Sequence, residues 1–147
     1  MKLNTKTRYG LRAIIEIAMN SSEHGVLQKD IAQTQNISNK YLDQIIAELK
    51  SADLIVNTGG KKSGYKLNGD PKKITAYTVF KAFNSSLQLI DCLSNNECCK
   101  TKLCAAQQFW CGLNDHIITY LQSKTLHDLV QEQSKIQKNN DLVMFYI

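Results

Sequence analysis

The feature that most constrains the fold is an amphipathic stretch at residues 39–52. Apolar side chains recur there at the i, i+3, i+4 and i+7 positions, which places them on one face of a helix. Those side chains are Leu42, Ile45, Ile46 and Leu49. Ser38 directly precedes the stretch, and its hydroxyl can accept a hydrogen bond from a backbone amide of the first turn. The sequence therefore predicts a helix that begins after Ser38 and buries one apolar stripe.

The segments on either side of that helix predict a winged helix-turn-helix. Residues 27–35 predict a shorter helix that a tight turn joins to the next one. Residues 54–56 and 65–67 predict the two strands of a hairpin, and the glycine-rich loop between them carries Lys61 and Lys62. Glycines allow the tip of such a wing to approach the DNA backbone, and lysines supply charge there. A generic hairpin also fits the pattern, but it does not explain the basic tip.

The polar start of the 39–52 helix is the predicted reading surface for DNA. The predicted contacts in this segment are Ser38, Asn39, Lys40, Tyr41, Asp43 and Gln44. In the major groove, glutamine pairs with adenine, lysine pairs with guanine, and aspartate accepts a hydrogen bond from cytosine N4. Tyr41 is expected to pack or to meet a phosphate. Lys61 and Lys62 are expected to contact the flanking DNA backbone.

The positive charge of the chain is concentrated in its first half. The net charge is +5, and residues 1–82 carry thirteen Lys and Arg against seven Asp and Glu, whereas residues 83–147 carry five against six. This distribution favours contact between the first half and a polyanion, although a solvated basic surface would give the same count. A first helix is predicted over 5–19, and Arg8 and Arg12 on it are candidate phosphate contacts. Its predicted inward side chains are Leu11, Ile14, Ile15 and Ala18.

All five cysteines lie between Asp91 and Cys111, in a polar segment that predicts a loop. Cys92, Cys98 and Cys104 are evenly spaced, with five residues between neighbours. Converging thiolates suit zinc or an iron–sulfur cluster. The paired Cys-x2-Cys spacing of structural zinc sites is missing, and a disulfide framework would need an oxidising compartment, for which no signal peptide is visible. An iron–sulfur cluster is favoured, with zinc and redox-switching thiols as alternatives.

The region after the cysteines predicts a long helix over 105–124 with an apolar seam. Spacings of 4, 3, 4 and 3 residues are typical of a helix that pairs with another helix. The seam residues are Ala106, Trp110, Leu113, Ile117 and Tyr120, and Phe109, His116 and Leu121 widen the apolar face. A dimer seam is favoured over core packing because helix-turn-helix proteins usually read two half-sites. Residues 125–130 predict a short closing helix capped by Ser123 or Thr125, and residues 133–147 predict a polar C-terminal tail.

Several classes of function are disfavoured by the sequence. No run of eighteen apolar residues occurs, so no transmembrane helix and no membrane partner are expected, and a cytoplasmic protein is the default. We find no phosphate-binding loop and no close acid–base pair, and the histidines are scattered. An enzyme with a small-molecule substrate is therefore not expected.

The order of these segments resembles the IscR/NsrR family of iron–sulfur-sensing bacterial transcription regulators, and the IscR branch, the regulators of iron–sulfur cluster assembly, is the nearer one. The matching segments are TRYGLRAIIEIAMN, SNKYLDQIIAELKSADLI, SGYKL, ITAYTVFKAF and the evenly spaced cysteines that lead into the long helix. The resemblance covers about residues 1–132. It implies a mainly α fold with a small β-hairpin wing: a winged helix-turn-helix domain over 1–84, a cluster-binding loop over 85–104, and a dimerisation helix with a closing helix over 105–132.

The resemblance further implies a homodimer that binds double-stranded promoter DNA. Cys92, Cys98 and Cys104 match the three cluster cysteines of the family, and the state of the cluster would set the DNA affinity or the choice of target. Likeness to the IscR branch favours a 2Fe–2S cluster, and a 4Fe–4S cluster is possible.

The chain departs from the family at the fourth cluster ligand. The IscR branch has a histidine three residues after the third cysteine, where this chain has Gln107, and an amide oxygen is a poor iron ligand. NsrR-like relatives use an acidic residue near the N-terminus, where this chain has Arg8. Cys99 could replace its neighbour Cys98, whereas Cys111 lies about 10 Å along a helix from the third cysteine. The cluster type is open, and the alternative function is a winged-helix protein whose cysteines form a redox switch or a structural zinc site.

Overall fold

The structure, a computed structural model, describes residues 4–20, 22–60, 63–84, 87–89 and 104–144. These residues form six helices and a two-stranded antiparallel sheet. In chain order the elements are α1 (Thr5–Met19), α2 (Gln28–Gln35), α3 (Asn39–Ser51), β1 (Ile55–Asn57), β2 (Tyr65–Leu67), α4 (Ala76–Phe83), α5 (Ala105–Ser123) and α6 (Leu126–Met144). The predicted mainly α fold with a β-hairpin wing is confirmed. None of the described helices combines the length and apolar character needed to cross a membrane.

A single apolar core joins the first four helices to the hairpin. The stripe predicted on α3 is confirmed, because all four of its side chains are buried. Helix α1 lies at the centre and packs against α2, α3, α4, α6 and β2. The largest fully buried side chains are Ile14, Ile17, Ile31, Leu42, Ile45, Leu49, Ile55, Val79 and Leu126. The core therefore includes Leu126, from beyond the cysteine region.

The buried face of α1 differs from the predicted one. Its buried residues are Thr7, Gly10, Ala13, Ile14 and Ile17, while Leu11, Ile15 and Ala18 pack only at the edge of the core. The reason is that small residues let α4 approach closely: a Cβ atom on Gly10 would lie 2.2 Å from the ring of Phe83. Periodicity counts only apolar side chains, so it missed a face centred on a glycine.

Substitution of Gly10 by alanine should therefore destabilise the protein. Alanine favours helix by about 1 kcal/mol over glycine, but overpacking a filled site typically costs about 1–3 kcal/mol. We expect a net loss in the free energy of unfolding, measured by chemical denaturation. In a double-mutant cycle, Phe83→Leu should offset part of this loss because it removes the ring that the new methyl group meets. Purely additive effects of the two substitutions would contradict the packing argument.

Local signals define the turn between α2 and α3. Asn36 ends α2 with φ of 52°, in the left-handed region that asparagine tolerates. The predicted N-cap of α3 is confirmed, since the Ser38 hydroxyl accepts a hydrogen bond from the Tyr41 N–H at 3.2 Å. The α2–α3 corner is thus closed by capping at both of its helix ends.

Backbone hydrogen bonds tie the α5–α6 turn to the segment before α4. The Ala76 N–H donates to the Lys124 carbonyl at 2.8 Å, and the Leu126 N–H donates to the Ile74 carbonyl at 2.7 Å. The Thr125 hydroxyl caps α6 by accepting from the Asp128 N–H, and the Asp128 carboxylate accepts from Thr125 in return. These hydrogen bonds from Thr125, side chain first, hold the pKa of Asp128 below its ordinary value. Of the two predicted caps, Thr125 is the correct one.

The predicted polar tail over 133–147 is wrong for most of its length. Helix α6 continues without a break to Met144 and packs against α1. The segment contains no proline or glycine, and its Gln and Lys residues are good helix formers. Polar composition therefore marks an exposed helix here. The last three residues of the chain lie outside the described part.

Candidate nucleic-acid interface

The start of α3 presents a polar face to solvent. Asn39, Lys40, Asp43 and Gln44 are all exposed, whereas the opposite face of the helix is buried. Tyr41 is half-buried and packs edge to face on Tyr9, with ring centroids 6.0 Å apart. The residues that the sequence assigned to base reading therefore share one accessible surface, and Tyr41 packs.

The hairpin lies beside α3 and is held rigidly at its base. Its strands pair in the register Ile55↔Leu67, Val56↔Lys66 and Asn57↔Tyr65. An isolated bridge joins Val26 to Tyr65, so the loop before α2 is hydrogen-bonded to β2. This arrangement places the wing next to both helices of the helix-turn-helix.

Close backbone contacts lock the wing against the α1–α2 loop. The Thr58 hydroxyl donates to the His24 carbonyl at 2.8 Å, and the Gly64 N–H donates to the same carbonyl at 3.2 Å. A Cβ atom on Gly64 would lie 2.8 Å from this loop, so only glycine fits without a shift. The predicted wing contacts Lys61 and Lys62 lie outside the described residues.

A hydrogen-bonded chain of three side chains connects the wing, α2 and α3. The Asp43 carboxylate accepts a hydrogen bond from Gln28 Nε2 at 2.5 Å, and the Tyr65 hydroxyl donates to Gln28 Oε1 at 3.3 Å. Burial raises the pKa of Tyr65, and the negative charge of Asp43 raises it further. The sequence analysis did not single out Gln28. No local pattern relates positions 28, 43 and 65, so only the tertiary structure brings them together.

Some basic residues of the first half are engaged within the protein. Lys6 forms a 2.6 Å ion pair with Glu48, and this hydrogen bond raises the pKa of Lys6. Arg12 donates to the Gln35 side chain at 2.9 Å and to the Gln35 carbonyl at 3.1 Å, which joins α1 to the end of α2. Arg8 is exposed, with its guanidinium 5.3 Å from the centre of the Tyr9 ring.

One of the three predicted cluster cysteines lies in the described part of the chain. Cys104 is half-buried and directly precedes α5, while Cys92 and Cys98 fall outside the described residues. Gln107 lies one turn after Cys104 and is half-buried. Cys111 is exposed on α5. Among the described residues, no group of three or more His, Cys, Asp or Glu side chains could hold a metal ion.

Helix α5 exposes several large apolar side chains. Relative exposure is 64% for Phe109, 37% for Trp110, 39% for Leu113 and 63% for Tyr120. Ile117 is turned the other way: together with Leu121 it lines an apolar cleft of about 330 Å³ that α1 and α4 close. We call Phe109, Leu113, His116 and Tyr120 the α5 stripe; their spacing of 4, 3 and 4 places them on one face of the helix.

The α5 stripe differs in register from the predicted seam. Leu113 and Tyr120 belong to both, and Ala106 and Trp110 are exposed beside the stripe. Ile117, predicted in the seam, packs on the intramolecular side. Apolar side chains cover a wide arc of α5. Sequence periodicity alone is therefore compatible with either the predicted seam or the α5 stripe as the exposed face.

Comparison with known proteins gives a consistent result. The Rrf2 family, described as iron-dependent transcriptional regulators, matches residues 3–132. The protein rrf2 of Nitratidesulfovibrio vulgaris is 36% identical over 140 residues, which cover 95% of this chain and 93% of that protein. IscR of Vibrio campbellii is 30% identical over 137 residues, covering 93% of this chain and 82% of that protein.

CymR of Bacillus subtilis resembles the chain in both sequence and structure. It is 34% identical over 147 residues, which cover 100% of each protein. The solved structure of CymR (YrzC), described as the global cysteine regulator of B. subtilis, has a TM-score of 0.75 at 32% identity and covers 90% of this chain and 98% of that one.

These relatives are transcription regulators rather than enzymes, and they confirm the resemblance to the IscR type that the sequence suggested. The winged helix-turn-helix with its exposed polar helix face accounts physically for DNA binding. On the family match, the relatives and the fold together, the chain belongs to the Rrf2 family of DNA-binding transcription regulators.

Proposed function

We propose that this regulator binds promoter DNA as a homodimer and that an iron–sulfur cluster held by Cys92, Cys98 and Cys104 controls the binding. One observation carries the DNA-binding geometry: the polar start of α3 is exposed beside a wing that is hydrogen-bonded at its base, while the opposite face of α3 is buried. Such a protein acts in the cytoplasm, where a bacterial promoter is accessible.

The exposed face of α3 and the adjacent wing indicate how the protein would dock on DNA. Helix α3 enters the major groove with Asn39, Lys40, Asp43 and Gln44 facing the base edges. Lys61 and Lys62 at the wing tip contact phosphates of the flanking DNA, which fix position and carry no sequence information. The Ser38 hydroxyl caps the helix, and this holds in place the first turn, which carries Asn39 and Lys40.

Dimerisation is assigned to the α5 stripe. Exposed aromatic and aliphatic side chains on one helix face are costly in water and are typical of protein–protein interfaces. Gly112 lies beside Leu113, and apart from its chain neighbours and its own helix backbone, no atom of the described residues comes within 4 Å of the place where its Cβ would be. A second α5 can approach closely there. The predicted seam residues Ala106 and Trp110 flank this contact.

The iron–sulfur proposal rests on the thiol pattern and on the relatives. The family is described as iron-dependent, and IscR proteins are among the relatives. Thiolates are the common ligands of these clusters, and a bound cluster supplies a group that responds to iron and to redox state. Cys104 directly precedes α5, so a ligand on its thiolate is linked through the backbone to the α5 stripe. Gln107 is not assigned to the cluster, because an amide oxygen is a poor iron ligand.

A second candidate is a regulator that responds to cysteine or to thiol redox state without a cluster. Two observations favour it: the full-length match to CymR, and Gln107 at the position where the IscR branch has histidine. In this case the cysteines act as free thiols or as a structural zinc site. DNA binding and dimerisation are the same in both candidates.

The DNA-binding proposal predicts that two kinds of substitution will behave differently. Lys61→Ala with Lys62→Ala should weaken binding to specific and scrambled DNA alike and lower the slope of log affinity against log salt by about two. Gln44→Ala should cost roughly 1–3 kcal/mol on the specific site and little on scrambled DNA.

The measurement is a salt titration of both variants on the specific and the scrambled duplex. The specific site is first obtained by selection from a random library with the unmodified protein. Equal weakening of both duplexes by Gln44→Ala would mean that this face of α3 does not read bases.

A further inference from the structure

The chain of side chains from Tyr65 through Gln28 to Asp43 has a fixed hydrogen-bond direction. An ionised carboxylate can only accept hydrogen bonds, so the amide nitrogen of Gln28 faces Asp43 and the amide oxygen faces Tyr65. The Tyr65 hydroxyl donates to that oxygen. Because the pKa of Tyr65 is raised by burial and by Asp43, the hydroxyl stays protonated at neutral pH and remains a donor.

This arrangement holds one oxygen of the Asp43 carboxylate against the Gln28 side chain. The other oxygen has no hydrogen-bond partner among the described residues, and the side chain is exposed on the reading face of α3. A short aspartate on a helix surface is ordinarily free to change rotamer. Here Gln28, which belongs to α2, limits its orientation from outside the reading helix.

We infer that Gln28 is a positioning residue that determines base specificity by presenting the free carboxylate oxygen of Asp43 to a base amino group in the major groove. The inference rests on the proposed docking of α3. Cytosine N4 and adenine N6 are the amino groups that a major-groove acceptor can reach. Guanine and thymine offer acceptors at the same edge, so a fixed carboxylate also repels them.

The competing explanation is that Gln28 only joins α2 to α3. A structural tie would affect folding stability and would weaken binding at every base position alike. A direct contact of Gln28 with DNA would affect a base position of its own. A positioning role affects the same base pair as Asp43 and needs Asp43 to be present.

The experiment is a binding-site selection from random duplex DNA with the full-length protein and its variants. Gln28→Met keeps the length of the side chain but removes the amide, and Gln33→Met, at an exposed position of the same helix, is the control. Asp43→Ala identifies the base pair that Asp43 reads. We expect Gln28→Met to reduce preference at that base pair by roughly 3- to 10-fold, the size of one ordinary net hydrogen bond.

The double variant decides the mechanism. When Asp43→Ala is already present, Gln28→Met should cause no further change in base preference. The melting temperature of the single variant Gln28→Met should match that of the Gln33→Met control. Tyr65→Phe should give a smaller loss at the same base pair, because Gln28 then loses only its orienting donor.

Four outcomes would overturn the inference. A changed preference at a different base pair, or additive losses in the double variant, would mean that Gln28 acts directly on DNA. An unchanged sequence preference for Asp43→Ala would leave Gln28 nothing to position, while the proposed function would survive. Failure of the unmodified protein to enrich any sequence would remove the proposed function together with this inference.

Discussion

A variant with Phe109→Ala and Tyr120→Ala should be monomeric at concentrations where the unmodified protein is a dimer. Both aromatic side chains are mostly exposed on α5, and a second copy would bury them. Burial of a large apolar side chain is worth roughly 1.5–3 kcal/mol. Each substitution occurs in both subunits, so four such side chains are lost, and the dimer dissociation constant should rise by a factor of at least about 10⁴, taking 1.4 kcal/mol for each factor of ten.

Sedimentation velocity over a range of protein concentrations would measure this shift. Asp115→Ala with Thr119→Ala is the matched control, because both side chains are exposed elsewhere on the same helix. Ile117→Ala should behave differently from the stripe variant, because Ile117 lines the cleft against α1 and α4. It should mainly lower the free energy of unfolding, with a smaller effect on the dimer dissociation constant. A stripe variant that remains fully dimeric would mean that the subunits meet through another surface.

A variant with Cys92, Cys98 and Cys104 all replaced by alanine should purify without iron or sulfide. The physical reason is that these thiolates are the proposed ligands, and an iron–sulfur cluster cannot be held without them. The variant should remain helical and dimeric, because the described core and the α5 stripe contain none of the three side chains. The measurement is iron and sulfide analysis with absorbance spectra after anaerobic purification. Cys111→Ala is the control and should keep the cluster, since Cys111 lies about 10 Å along α5 from Cys104.

The same preparation separates the two candidate functions. Brown unmodified protein with charge-transfer bands supports the cluster. Colourless protein with stoichiometric zinc, or with free thiols whose oxidation changes DNA affinity, supports the second candidate. Full iron and sulfide content in the triple variant would rule out the assigned ligands.

Much of the local structure could be predicted from the sequence. The limits of α1 agree with the prediction, and α3 and β2 differ from it by one residue at most. Amphipathic periodicity, the Ser38 cap and the glycine-rich turn act over a few neighbouring residues, so a linear pattern contains them. The prediction for the polar segment after residue 130 is wrong, because an exposed helix that packs along one side has the composition of a disordered tail.

One part of the candidate nucleic-acid interface could be predicted from the sequence, and another part could not. The exposed face of α3 follows from the helical period, since burying Leu42, Ile45, Ile46 and Leu49 turns Asp43 and Gln44 outward. The partner of Asp43 does not follow from it, because Gln28 and Tyr65 are separated by 37 residues and meet only when the wing packs beside α2.

The sequence by itself therefore determined the winged helix-turn-helix, the exposed polar face of α3 and the evenly spaced cysteines, because each depends on residue type and short-range spacing. Only the tertiary structure decided which side of α5 is left for a partner. Ile117 and Phe109 are both apolar, so sequence periodicity does not distinguish the two sides of the helix. The position of α4, set by the close contact of Phe83 with Gly10, places the cleft on the Ile117 side of α5 and leaves Phe109 in solvent.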